Sequence, residues 1–192
     1  MGLLCNRWGH RLPSLRKIKM IEELKSIIKD ERFKVLLNNP DIWESKDVDY
    51  TTPRVERVWM PINDKRLSLH VIHPCEDGEA YMHPHVWETA MFVLPIGGLY
   101  EHTVGYRKPW EVTSDSKDHI VCKQIVEGAM YYEMMDRNAI HSVRPIAQPV
   151  FTIMLSGKPI WKENSCTLPK NLVSLSDERK NEVLQIFKNY FL

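Results

Sequence analysis

From residue 54 to residue 157 the chain is cut into short apolar segments by turn residues, and this cadence narrows the fold more than any other feature. "RVERVWMPI", "RLSLHVIHP", "HVWETAMFVL", "LYEHTVGYR", "HIVCKQIVEG", "AMYYEMM", "AIHSVRP" and "PVFTIMLSG" are rich in Val, Ile, Leu and aromatic residues and alternate in part. Between them stand "NDK", "PCEDGEA", "PIGG", the longer "KPWEVTSDSKD", and Asp136-Arg137-Asn138. Strands repeating at roughly 8- to 12-residue spacing with turns between them are the pattern of an antiparallel sandwich or barrel.

The two ends read differently. Leu15, Ile18, Ile21, Leu24, Ile27 and Ile28 recur at helical spacing, so residues 14–38 are expected to be helical, with "RFKVLLNNP" either ending the region or forming a short second helix and Asn38, Asn39 and Pro40 as stop signals. "ESKDVDYTTP" reads as an exposed connection. The tail "LSDERKNEVLQIFKNYFL" is a final helix with Ser176 as its N-cap, and Val183, Leu184, Ile186, Phe187, Tyr190 and Phe191 give it a face to bury. The expected organisation is a helical extension over 1–52, a β-domain over 53–163, and a helical tail over 164–192 that packs on it.

Charge and cysteine usage exclude several classes. With 26 basic and 25 acidic residues the net charge is +1, so no electrostatic case for nucleic acid exists. No uninterrupted apolar run is long enough to cross a bilayer, and no membrane partner is expected. Cys5, Cys75, Cys122 and Cys166 form no CxxC pair, which favours free thiols in a reducing, cytoplasmic setting. Residues 1–20 carry five basic side chains and no acid, the charge bias of an organelle transit peptide; the basic start of a surface helix is the preferred reading. Gly2 is not followed by the Ser or Thr that myristoylation needs at position 6, which is Asn6. Cys5 and His10 lack a matching second pair for zinc.

The candidate chemistry lies in "EAYMHPHVWETAMFVLPIGG". On a strand, residues two apart point to one face, so His83 and His85 project together, as a His-x-His metal pair must. Imidazole nitrogens suit Fe, Zn, Ni and Cu. Two ligands make a weak site, and the best third is His141 in "YYEMMDRNAIHSVRP", just past a turn, where an antiparallel barrel can bring it beside the pair. His10, His70, His73, His102 and His119 are read as solvated or structural. Met130, Met134 and Met135 are read as flexible core filler.

This two-motif layout resembles the cupin superfamily, with Gly78 before the pair and Gly97 and Gly98 after it. The resemblance implies a mainly β, cupin-type antiparallel β-barrel (a jelly roll, or double-stranded β-helix) flanked by N-terminal and C-terminal helices. The turn before His141 lacks the usual Pro-x-Gly. Most cupins add a Glu three or four residues past the pair; those positions are Thr89 and Ala90, with Glu88 nearby as a possible fourth ligand if a bulge turns it inward.

A three-histidine cupin further resembles the thiol dioxygenases, the cysteine dioxygenase group, over roughly residues 55 to 163. "HPHVWETAMFVLPIGGLYEHTV" looks like that family's first ligand strand and hairpin, and "AIHSVRP" with "PVFTIMLSGKP" like its last ligand strand and closing strand. The family grips its substrate carboxylate with an arginine on an early strand, and Arg57 stands at the comparable distance before His83. There are departures. The cross-linked cysteine of mammalian-type members corresponds to Ala90. The closing-strand Ser-x-His-x-Tyr reads Thr152-Ile153-Met154-Leu155-Ser156, without the histidine or the tyrosine. The metal scaffold is matched better than the substrate pocket.

The expected function is a non-haem Fe(II) dioxygenase or related oxidoreductase acting on a small anionic molecule and O2. The alternatives are a cupin isomerase, lyase or hydrolase using Zn, Mn or Ni, and a non-catalytic ligand-binding cupin. Trp87, Tyr131 and Tyr132 are pocket candidates whose ordinary role would be packing. Arg57 and Arg144 are candidates for holding an acid group, and a surface ion pair is their ordinary role. Dimerisation, common in cupins, makes a homodimer the expected assembly.

Overall fold

The structure, a computed structural model, describes residues 20–84, 87–106, 120–136, 138–159 and 172–192. Two helices, α1 (Met20–Lys29) and α2 (Glu31–Leu37), precede eight strands: β1 (Glu44–Val48), β2 (Val55–Ile62), β3 (Lys65–Ile72), β4 (His83–Pro84), β5 (Trp87–Tyr106), β6 (Ile120–Val126), β7 (Met130–Met134) and β8 (Ala139–Pro159). Helix α3 (Asp177–Phe191) follows.

The helices begin where their sequences can satisfy the free N–H groups of a first turn. Asp30 caps α2 by accepting from the Arg32 backbone N–H at 2.9 Å, and Ser176 caps α3 by accepting from that of Arg179 at 3.1 Å. Glu22 and Glu23 open α1 and Lys29 closes it, as the helix dipole favours.

All strand pairs are antiparallel, in the order β1-β2-β3-β8-β5-β6, with β4 added on β8 and β7 on β5. This is the mainly β, antiparallel course expected, with helices at both ends. Among the described residues β1, β4, β6 and β7 each pair with a single strand, so the sheet keeps open edges and does not close on itself. It folds over instead. Trp87–Val93 of β5 runs against Pro159–Thr152 of β8, and Leu99–Tyr106 runs against Ile146–Ala139, with register shifts between Val93 and Leu99. At the crease Gly97 has φ 93° and Ala147 φ 66°. A Cβ at position 97 would run into the Pro149 carbonyl oxygen, so glycine is required twice over.

Alternation then sorts side chains to two faces. On the outer one, Leu67, Leu69, Val71, Phe92, Ile153 and Leu155 share a core with Met20, Leu24, Phe33 and Leu37 of the first two helices and Val183, Leu184 and Phe187 of α3. The inner face, between the folded leaves, holds a smaller cluster of Ile72, Val93, Tyr100 and Val150, flanked by Val55, Met130, Tyr132 and Val143.

Two local expectations are corrected. The first half of "ESKDVDYTTP" is strand β1, because Ser45 and Val48 are buried and Lys46 pairs in register with Arg57. The segments around "PIGG" and between "AIHSVRP" and "PVFTIMLSG" bend without breaking, since bulges let the backbone turn while pairing resumes. The expected helix over 14–38 is realised from Met20, divided at Asp30; residues 14–19 lie outside the described ones.

Candidate metal centre

Strand β4 is only two residues long, yet its register carries the site. His83 is the direct Cα partner of His141 on β8, and His141 faces Val104 of β5 on its other side. Direct partners on antiparallel strands point to the same face, roughly 5 Å apart at Cβ. Two segments remote in sequence therefore present imidazoles to one place. His85 lies outside the described residues.

A further imidazole lies against His141. His102 sits on β5 opposite Val143, one pleat from the Val104–His141 pair and on the same face. Its Nε2 lies 3.2 Å from His141 Nδ1, with the rings nearly perpendicular at 84°. At 2% exposure it is fully inside. Sequence reasoning grouped His102 with the solvated or structural histidines; the signal available was its alternation with Tyr100 and Val104 on an inward-facing strand. The His102 ring packs 4.5 Å from Tyr132, whose hydroxyl is 2.7 Å from that of Tyr100. Tyr81 meets His83 edge-on at 4.9 Å. A cleft of about 280 Å³ opens beside them, lined by His102, Val104, Tyr106, Tyr132, Met134 and Ala139 among others.

The electrostatics favour neutral imidazole. Burial, and then the Arg57 charge, push His83 below its ordinary basicity. Arg57 points inward from β2, and its Nε–H donates to His70 Nε2 at 3.1 Å. A guanidinium can only donate, so His70 Nε2 accepts and its Nδ1–H is directed to Thr152 Oγ1 at 3.1 Å. Burial, followed by Arg57 and Arg66, holds His70 well below its ordinary value and therefore neutral. Burial and the Arg66 cation bring Arg57 down to about 10, which leaves it charged at neutral pH.

The other expected site residues are scattered. Tyr132 lies on the inner face beside His102. Tyr131, one residue earlier, faces the helices and stacks on Phe92 with ring centroids 4.3 Å apart. Arg144 points to the opposite side of β8 from His141 and makes a two-pronged ion pair with Glu101, at 3.0 and 2.9 Å. Trp87 is 41% exposed and pairs with Pro159. The Glu88 Cβ stands beside Gly157, as does the Met20 side chain, so it belongs to the helix-covered side. Among the described residues, no group of three or more His, Cys, Asp or Glu is gathered as a metal cage.

What is present suits a divalent cation. His83 and His141 share a face, and His83 is disposed to be neutral. The His141 Nδ1 lies against His102 Nε2, so a cation would be met through the other ring nitrogen, Nε2. For that, His141 must carry its proton on Nδ1 and His102 must accept through Nε2.

No protein-family model matches the chain, and no curated protein matches it. Among solved structures it is similar to hydroxypropylphosphonic acid epoxidase from S. wedmorenis, at 12% identity over 62% of this chain and 56% of that one, with a TM-score of 0.46. KdgF from Halomonas sp. matches at 11% identity over 59% of this chain and 87% of that one, with a TM-score of 0.38. A chain solved in work on the DMSP lyases RdDddP and RnDddQII matches at 15% identity over 64% and 53%, with a TM-score of 0.37. The match spans little more than half of the epoxidase chain. At these scores the likenesses say nothing of this chain's chemistry.

Proposed function

We propose that the protein is a cupin-type metalloenzyme, a non-haem Fe(II) dioxygenase or related oxidoreductase. Its ligands would be His83, His85 and His141, and its substrate a small anionic molecule. The observation that carries this reading is the register of β4 on β8, which sets His83 directly opposite His141 on the inner face. His85 completes the His-x-His pair of the sequence and lies outside the described residues. Three neutral imidazoles would leave the cation its positive charge and open positions, and a bound Fe(II) would supply one-electron chemistry with O2.

The chain's own groups have separable tasks. His102 holds the His141 ring through its 3.2 Å contact and favours the tautomer with the proton on Nδ1. Arg57, held in place by His70, offers positive charge to an anionic substrate near His83. Tyr132 and Tyr100, sharing one hydroxyl–hydroxyl bond, wall the interior beside His102 and can pass a proton between them. Glu88, Trp87, Tyr131 and Arg144 have no part in this reading.

The test is elemental analysis of protein purified without chelator, followed by O2 uptake on a panel of small acids. Near-stoichiometric iron and substrate-dependent uptake are expected. His141→Ala should abolish metal retention and leave the fold, judged by its urea midpoint. Metal retained by that variant refutes the ligand set. Stoichiometric Zn, Mn or Ni without O2 uptake would point to the isomerase, lyase or hydrolase alternative.

A further inference from the structure

Strands β2 and β3 carry a second polar cluster on the inner face, one that the metal ligands do not use. Arg57, Trp59, Arg66, Ser68 and His70 all point to the same side, since Arg57 pairs with His70, Trp59 with Ser68 and Pro61 with Arg66. The Arg66 guanidinium lies over the Trp59 ring at 5.5 Å. Stacking engages the flat face of a guanidinium and leaves its edge donors free. Among the described residues the Arg66 Nε and the Ser68 Oγ are both buried without a hydrogen-bond partner, and Ser68 is wholly inside. Buried donors of this kind each cost about 1–3 kcal/mol unless something accepts from them.

Among the described residues the cluster also has no ion-pair partner. The inner-face positions of β2, β3, β7 and residues 150–156 of β8 include no acid. Glu44, on the edge strand opposite Trp59, is exposed, and neither arginine forms an ion pair with a described residue. Arg66 adds to the burial that lowers Arg57, so the two cations feel each other.

We propose that Arg57, Arg66 and Ser68 form the binding site for a doubly charged oxyanion, the head group of the substrate whose other end reaches the histidines. This rests on the reading of the site given above and adds the substrate class. Two guanidiniums match two negative charges, and Ser68 Oγ with Arg66 Nε supply neighbouring donors to separate oxygens of a phosphonate or phosphate group. A single carboxylate would leave one cation and one donor unmatched.

The test is calorimetric titration of the full-length protein with methylphosphonate at pH 9, where the probe is predominantly a dianion, and with acetate as a monoanion. Methylphosphonate should bind at least tenfold more tightly than acetate. Arg66→Met should lose at least tenfold of that affinity, Arg66→Lys less, and Ser68→Ala several-fold, each with a urea midpoint near that of the parent. His141→Ala should keep oxyanion binding while losing metal, so failure of the metal reading and failure of this one are told apart. Equal affinity for the two probes overturns the proposal, as does unchanged affinity in Arg66→Met and Ser68→Ala.

Discussion

The contact between α3 and β2 can be tested quantitatively. Glu56 neighbours Arg57 but points to the outer face, where its side chain is 3% exposed. It accepts from Arg179 Nε at 2.8 Å and Nη2 at 2.6 Å, and lies 2.9 Å from His73 Nε2. Arg179, helped by His73, lowers the Glu56 carboxyl from 4.5 to about 2 despite burial. At ~1.4 kcal/mol per pH unit that difference corresponds to about 3 kcal/mol. Arg179 is itself 36% exposed, so solvent screening brings the expected loss in Arg179→Met to about 2 kcal/mol. With a urea dependence of about 2 kcal/mol per molar, the unfolding midpoint at pH 7 should fall by roughly 1 M. The pH dependence is the sharper check. A carboxyl held low in the folded state contributes its full stability above 4.5 and loses it as pH falls toward about 2. The gap between parent and variant should therefore be constant from pH 7 to 5 and narrow by pH 3. A gap below ~0.5 kcal/mol at pH 7, or one of equal size at pH 3, refutes the reasoning.

Two further substitutions address the site and the crease. His102→Phe keeps a ring against Tyr132 but cannot hold His141, so metal affinity measured by competition with a chromophoric chelator should fall about 10- to 100-fold, with little change in urea midpoint. Gly97→Ala forces a side chain into φ 93° and against the Pro149 carbonyl, and should cost about 1–3 kcal/mol or more in urea unfolding.

Much of this was legible in the sequence because it follows from periodicity. The Ser176 cap, the helical ends, and the facing of His83 toward His141 depend on local spacing or on one assumption about strand pairing. Arg57 came from the resemblance to the thiol dioxygenases, by its distance before His83, and its charge is one of the two causes that lower His83. What stayed hidden depends on three dimensions. Tyr131 and Tyr132 are adjacent, so alternation sends one inward, and only the pairing of β7 with β5 decides which. Arg144 is three residues from His141 and was drawn elsewhere by Glu101, forty-three positions away. His102 has only its alternation with Tyr100 and Val104 to mark it; its partner comes from β8, which runs beside it only after the sheet has folded. Arg66 and Ser68 were overlooked for the opposite reason: a short polar pair on a strand looks solvated until both faces of that strand prove covered.

The crease at Gly97 and Ala147 makes the site sensitive to an error of counting. β8 runs unbroken from Ala139 to Pro159, anchored at its far half by Leu155 and Ile153 in the main core. Remove one residue at the bend, with that anchor unmoved, and every side chain of the near half changes sides. His141 would swing outward and Arg144 inward, putting a cation where a ligand had been. The length of that short crossing is therefore under as tight a constraint as the identity of any histidine, and single-residue indels there should be far less tolerated than substitutions.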